Sequence, residues 1–211
     1  SDWPSPDSWH DEFVSDLRAI MADNGIDIPV WYTEVGSSQN DANVPVMYSG
    51  RRRIGDGQTR AEYAAYLVKM HASALDNGIE KVFWYNYQDR DSSTTNAEDH
   101  FGLRDHWGHP KPGYLAYAAM LNCMKGRTVT RLPANSPVRT YLFRAADRDC
   151  LVTWLERDLD EVMPLESIWS GLAGRSDVQA LDLVGTPLPL DDGMIVLSTY
   201  PTFLLLEGGD P

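Results

Sequence analysis

Two short apolar runs, each preceded by a helix-forming stretch, set the terms for this fold. Pro29-Val30-Trp31-Tyr32-Thr33-Glu34-Val35-Gly36 ends on a carboxylate and breaks at a glycine, and Lys81-Val82-Phe83-Trp84-Tyr85-Asn86-Tyr87 is similarly dense in strand formers. Apolar content this continuous, already present at Ile26 and Ile28, suits strands covered on both faces, as in parallel sheets packed by helices. The flanking sequence agrees. Residues 5–24 read as a helix: Ser5 caps it, Pro6 suits its first turn, and Trp9, Phe13, Leu17, Ile20 and Met21 share one face before Asn24-Gly25. Thr59-Arg60-Ala61-Glu62 is a capping box that opens a second helix, which closes at Asn77-Gly78. A third helix covers residues 113–124.

The order is helix, strand, long polar loop (36–58), helix, strand, long polar loop (88–113), helix. Strands alternating with helices in this way make parallel βα units. Two strands alone neither close a barrel nor form a stable sheet. Helical periodicity ends near Arg127. Short β-rich runs follow at 138–143, 150–155, 178–184, 194–197 and 202–206, separated by turn clusters such as Asp191-Asp192-Gly193. This pattern predicts a small antiparallel sandwich. The expected division is therefore an α/β domain over residues 1–126 and an all-β domain over 127–211, with 133–137 as linker.

Charge narrows the possible partners. The 18 Lys and Arg are outnumbered by 31 Asp and Glu, for a formal net charge of −13. A nucleic-acid partner is disfavoured, because its binding needs a basic face. The one basic run, Arg51-Arg52-Arg53, reads as a solvated loop rather than an anion site. No apolar stretch reaches the ~20 residues of a membrane span. A neutral ligand such as a sugar fits the balance, and no cofactor is implied. Cys123 and Cys150 either pair or stay reduced, since their spacing matches no metal or redox motif. His100, His106 and His109 cluster in one loop, where polar loop content explains them better than zinc.

Three stretches together resemble a known family. The run ending in Glu34 is similar to the seventh strand of the (β/α)8 barrel of retaining glycoside hydrolases of clan A. Val82-Phe83-Trp84-Tyr85 resembles the eighth. Phe101-Gly102-Leu103-Arg104-Asp105, followed by Gly108-His109-Pro110-Lys111-Pro112-Gly113-Tyr114, resembles the passage into the last barrel helix. The β-rich tail, including 178–190 and Tyr200-Pro201-Thr202-Phe203-Leu204, is similar to the trailing sandwich of the branch holding β-xylosidases and α-L-iduronidases. The resemblance implies the last βα units of a partial (β/α)8 barrel followed by a β-sandwich.

It also implies a chemistry. A retaining glycosidase places two carboxyl groups ~5–5.5 Å apart, one attacking the anomeric carbon and one handling the leaving-group proton. By resemblance Glu34 is the nucleophile and Trp84 stacks on a sugar ring. Asn86, Gln88 and Asp89 bind hydroxyls, with Glu98 and Asp99 further candidates. The residues alone leave other readings open. Glu34 reads equally as a strand-end carboxylate paired with a loop arginine, and Trp84 as core between sheet and helix. Trp107 reads as a loop anchor, and Trp154 and Trp169 as sandwich packing.

The family's acid/base glutamate follows an asparagine at the end of the fourth strand, and no Asn-Glu pair occurs in the chain. The expectation is therefore a glycosidase segment that supplies half of the catalytic pair and is inactive alone. Its barrel would be completed by a preceding segment or by self-association, and carbohydrate is the expected partner. The alternatives are a non-catalytic carbohydrate-binding protein and a purely structural assembly domain.

Overall fold

A computed structural model describes residues 6–39, 45–48, 51–54, 58–92, 96–133, 137–146 and 148–207, with backbone alone at 6–9, 45–48, 51–54 and 207. The chain forms two units, Ser1–Tyr114 and Leu115–Pro211. The division falls inside the third helix, twelve residues before the expected one.

The first unit begins with α1 (Pro6–Asp23) and β1 (Val30–Val35), followed by the hairpin strands β2 (Pro45–Tyr48) and β3 (Arg51–Ile54). Next come α2 (Arg60–Asp76), β4 (Ile79–Trp84) and a 3-10 turn at Ala97–Asp99, ahead of α3 (Pro112–Met124). β1 and β4 pair in parallel. The capping box forms as read: the Glu62 amide donates to Thr59 Oγ1 at 3.2 Å, and the Thr59 amide donates to Glu62 Oε2 at 2.8 Å. α2 is the most buried helix of the unit, with nearly every residue from Tyr63 to Ala74 inside. Val14 of α1, Ala74 of α2 and Ile79 pack against Val30, Tyr32 and Val82, so both helices cover one face of the strand pair. Polar contacts pin α1 to α2. His10 hydrogen-bonds Ser73 Oγ and the Tyr32 hydroxyl, each at 2.8 Å, and Asn77 Nδ2 donates to Asp11 Oδ1 at 2.7 Å.

The structure departs from the sequence reading in four ways here, the first in α1, where Phe13 and Ile20 of the expected apolar face are exposed while His10 and Val14 are buried. β1 and β4 are covered on one face only: on the other, Trp31 is 46% exposed and Phe83 50%. The aromatic density that read as two-sided burial therefore supplies an open apolar face. Ile26 and Ile28 lie in an exposed lead-in rather than in the strand. The 36–58 passage contains a hairpin, and the side chains of Arg51, Arg52 and Arg53 on it lie outside the described residues. Among the described residues no barrel closes.

The second unit is built on a six-stranded antiparallel sheet, ordered β10 (Pro187–Leu188), β9 (Val178–Leu181), β12 (Thr202–Glu207), β7 (Arg148–Leu155), β6 (Val138–Arg144), β5 (Thr128–Arg131). A separate pair, β8 (Glu161–Pro164) with β11 (Met194–Leu197), forms a smaller second layer with the one-turn helix α4 (Leu165–Ile168). Leu142, Leu151, Leu155 and Leu204 from the large sheet meet Met163, Ile168, Ile195 and Leu197 from the small layer in one core. The antiparallel expectation holds, as two unequal layers. β5, β8 and β10 escaped detection because Thr128, Thr130 and Arg131, or a single short turn-flanked run, carry little apolar signal, and Pro187-Leu188-Pro189 reads as a turn. The expected linker lies mostly outside the described residues. Cys123 of α3 and Cys150 of β7 form a disulfide, with Cα atoms 5.5 Å apart. Trp154 is fully buried and stacks on Tyr141, and Trp169 packs against the core, so both are packing residues as expected.

Candidate active site

Glu34 stands at the end of β1, where the pairing with β4 loses its regular step. Tyr32 faces Val82 and Val35 faces Trp84, so Thr33 and Glu34 together oppose the single residue Phe83. An extra residue of this kind twists a strand and re-aims its side chains, a device common beside active sites. Pairing then stops abruptly. The Tyr85 amide donates to the Val35 carbonyl at 2.8 Å, and the Tyr85 carbonyl oxygen presses so closely on Gly36 that a Cβ there would overlap it. The Glu34 side chain is exposed, and among the described residues it has no hydrogen-bond or ion-pair partner. The arginine pairing open in the sequence is not made with any described residue.

Trp84 lies on the opposite side of its strand from Phe83, turned towards α2. Its Nε1 donates to the Tyr63 hydroxyl at 2.7 Å, and its ring packs against Tyr63, Tyr66 and His71. The described contacts of Trp84 are those of the core reading, although the residue is only partly buried. The Tyr63 hydroxyl in turn donates to the Phe101 carbonyl at 2.7 Å, and burial pushes its pKa well up, so it stays a neutral relay. Burial drives His71 the other way, to about 4, with Nδ1 hydrogen-bonded to the Leu67 carbonyl at 2.8 Å.

The passage from Tyr85 to Pro112 is tightly knit. The Asn86 amide donates to the Phe101 carbonyl at 3.0 Å, and the Leu103 amide returns a bond to the Asn86 carbonyl at 3.1 Å. Asp89 is the hub. It accepts from Lys111 Nζ at 2.8 and 2.7 Å and from the Gly102 amide at 2.8 Å, all buried. Gly102 is crowded by the backbone of Gln88, Asp89 and Arg104, which leaves no room for a side chain. Burial lowers the Lys111 pKa, and the Asp89 carboxylate opposes that shift. The family-like Gly-Leu and Pro-Lys-Pro elements thus acquire a local physical meaning: glycine admits the backbone to Asp89, and lysine neutralises it.

The remaining sequence candidates fall around this knot. Gln88 is exposed and donates from Nε2 to the His106 carbonyl at 3.0 Å. Asn86 is half-buried, and its Oδ1 has no partner among the described residues. Glu98 is exposed on the 3-10 turn, its amide held by Asn96 Oδ1 at 3.2 Å. Asp89, His100 and Lys111 line a cleft of about 210 Å³ together with Gln39, Gln58 and Trp107. Trp107 is the residue the sequence reading missed. It is 71% exposed at the cleft rather than anchored in a loop. The polar sequence around it, Asp105-His106-Trp107-Gly108-His109, offers no apolar neighbours to bury it, and that was the available signal. No group of three or more His, Cys, Asp or Glu suited to a metal occurs among the described residues.

Comparison with solved structures places this architecture. A family 39 glycoside hydrolase from the gut symbiont Bacteroides cellulosilyticus WH2 superposes with a TM-score of 0.71 at 21% identity, over 92% of this chain and 38% of that one. The fold is similar to part of a glycoside hydrolase. A family 30 subfamily 8 xylanase from Clostridium acetobutylicum gives a TM-score of 0.52 at 13% identity, over 90% of this chain and 45% of that one. A GH30 endoxylanase from Clostridium papyrosolvens C71 gives 0.50 at 9% identity, with 90% and 45% covered. The chain spans less than half the length of each of these proteins, and at these identities the likeness is one of fold. No family model matches the sequence, and no curated protein matches it.

Proposed function

We propose that the chain contributes the nucleophilic carboxylate, Glu34, and part of the sugar site of a retaining O-glycosidase. The observation that carries this reading is the placement of Glu34. It is an exposed carboxylate with no partner among the described residues, at the C-terminal end of a parallel strand, at an extra residue in the register, in a fold similar to glycoside hydrolases. A carboxylate so placed attacks an anomeric carbon and forms a glycosyl ester, while a second carboxyl group protonates the departing oxygen. Asp89 does not serve as that second group, because Lys111 and the Gly102 amide occupy its lone pairs in a buried ion pair. The proton donor in this reading comes from outside the chain. The open face of β1 and β4, carrying Trp31 and Phe83, supports the same view: further barrel strands cover such a face.

A 2-fluoro glycoside offered to a complete barrel carrying this chain tests the proposal. The expected outcome is a covalent sugar on the peptide containing Glu34, seen by mass spectrometry. Glu34→Ala is expected to abolish turnover, with partial recovery on adding azide. An enzyme that stays active after Glu34→Ala, or carries the label elsewhere, overturns the assignment. Reversible sugar binding without labelling selects the non-catalytic binding protein instead.

A further inference from the structure

We infer that Ser38 and Gln39 form a latch that positions Glu34 for attack, by fixing the chain just beyond it against the 97–102 passage; this rests on the reading of Glu34 as the nucleophile and assigns the residues that aim it. Polar side chains go inside a protein only where they find partners. Ser37, Ser38 and Gln39, the three residues after Gly36, are nonetheless all buried. Two of them bond across to the second loop. Ser38 Oγ donates to the Ala97 carbonyl at 3.0 Å, and Gln39 Nε2 donates to the Gly102 carbonyl at 2.9 Å. The backbone follows the same path. The Gln39 amide donates to the His100 carbonyl at 3.0 Å, and the Gln58 amide donates to the Ser38 carbonyl at 3.3 Å.

The latch holds the far end of a short, slack stretch. Before Glu34 the chain is in register at Tyr32 and Val82, and after it the Val35 carbonyl accepts from the Tyr85 amide. The extra residue between those points leaves the carboxylate's direction dependent on how the exit is held. Gly102 is the fixed point. Its peptide is gripped on both sides, the amide by Asp89 and the carbonyl by Gln39, and Lys111 anchors Asp89 in turn. The Gln39 amide also interacts with the Tyr63 hydroxyl, which receives Trp84 Nε1. The exit of β1 is thus tied to the exit of β4 and to α2. Attack on carbon tolerates little misplacement, since a shift of about 1 Å can cost roughly a hundredfold in rate. No described residue holds the Glu34 carboxylate directly. Ser38 and Gln39 are therefore positioning residues, acting through the backbone.

The first test uses the chain itself. In Gln39→Met, which keeps the length of the side chain and removes its donor, the Gln39 and Gly102 amides should exchange hydrogen about tenfold faster or more, while amides inside α2 keep their rates. Unchanged exchange overturns the latch. The second test labels a complete barrel carrying this chain with the dinitrophenyl 2-fluoro β-glycosides of xylose and glucose. A Glu34 carboxylate oxygen bonds to the anomeric carbon as the bond to dinitrophenolate breaks, and that anion leaves without needing a proton. The rate therefore reports the nucleophile and not the acid. Gln39→Met should label about tenfold more slowly or worse, with the half-saturating concentration and the final stoichiometry unchanged. Ser38→Ala should slow labelling in the same direction and carries the test if Gln39→Met does not fold. Thr59→Ala, which removes only a helix cap, should label at the parental rate. Parental rates in both latch variants overturn the inference and leave Glu34 as nucleophile. A rate loss in Thr59→Ala equal to that in Gln39→Met also overturns it, because the loss then follows stability alone. A parent that carries no label on Glu34 removes the catalytic proposal and the latch's role together.

Discussion

At the scale of single residues, desolvation decides which polar groups are free to do chemistry. Asp89 and Glu34 both read as carboxylates at or just past the end of a strand, yet one is buried against Lys111 and the other stands exposed. Nothing local in the sequence separates them, because Lys111 lies 22 residues beyond Asp89 and reaches it only through the folded loop. Removing one partner of such a pair strands the other charge in the interior. Lys111→Met is therefore expected to lower unfolding free energy by about 3–5 kcal/mol, read from urea denaturation, with partial recovery in the double variant carrying Asp89→Asn. An unchanged urea midpoint in the single variant contradicts the buried ion pair. His71 supplies the pH dependence. Its pKa is depressed in the folded chain to about 4 from 6.5. The unfolded chain thus binds the proton first, so stability is intact above pH 6.5 and falls as pH drops towards 4. The loss from this one group is about 3 kcal/mol at 1.4 kcal/mol per unit. Urea midpoints at pH 7, 5.5 and 4 should fall steeply in the parent chain and less in His71→Gln.

Among the secondary-structure elements, whatever depends on neighbours in sequence was legible. The capping box at Thr59 and Glu62 was readable because both partners lie within four residues, and its two bonds form as expected. Thr59→Ala removes one of them and is expected to reduce unfolding free energy by about 1 kcal/mol, whereas Thr59→Ser should be nearly neutral. Elements fixed by pairing partners were harder to see. The extra residue at Thr33 and Glu34 exists only relative to Phe83 on another strand. β5 is polar and gains its place from β6 rather than from its own pattern. Trp107 was misplaced and Trp84 left open for a related reason: aromatic identity gives no direction, and direction followed from strand parity for Trp84 and from a polar loop for Trp107.

For the molecule as a whole, the sequence marks a change in periodicity near residue 127, whereas the structure divides between Tyr114 and Leu115, inside α3. A disulfide ties α3 to β7 within the second unit. The partial barrel was legible from the resemblance, but which strand face stays open was not, because apolar strands look alike whether their far face is covered or open. The exposed Trp31 and Phe83 carry a consequence for solution behaviour. The isolated chain is expected to sediment above its monomer mass of 23.7 kDa at micromolar concentrations and to bind a hydrophobic dye. A monodisperse monomer without dye binding counts against an unfinished barrel face.

The contact between Gly36 and the Tyr85 carbonyl bears on how any mutational scan of this region should be interpreted. A screen scored on turnover alone will find positions 34 and 36 equally intolerant and will group them as one catalytic motif. Their causes differ. Even Gly36→Ala forces the backbone of the second strand's exit aside, so its loss should appear as lower soluble yield and an earlier thermal midpoint. Glu34→Gln should leave both unchanged. Scoring abundance alongside activity separates the reactive group from the hinge of backbone that aims it.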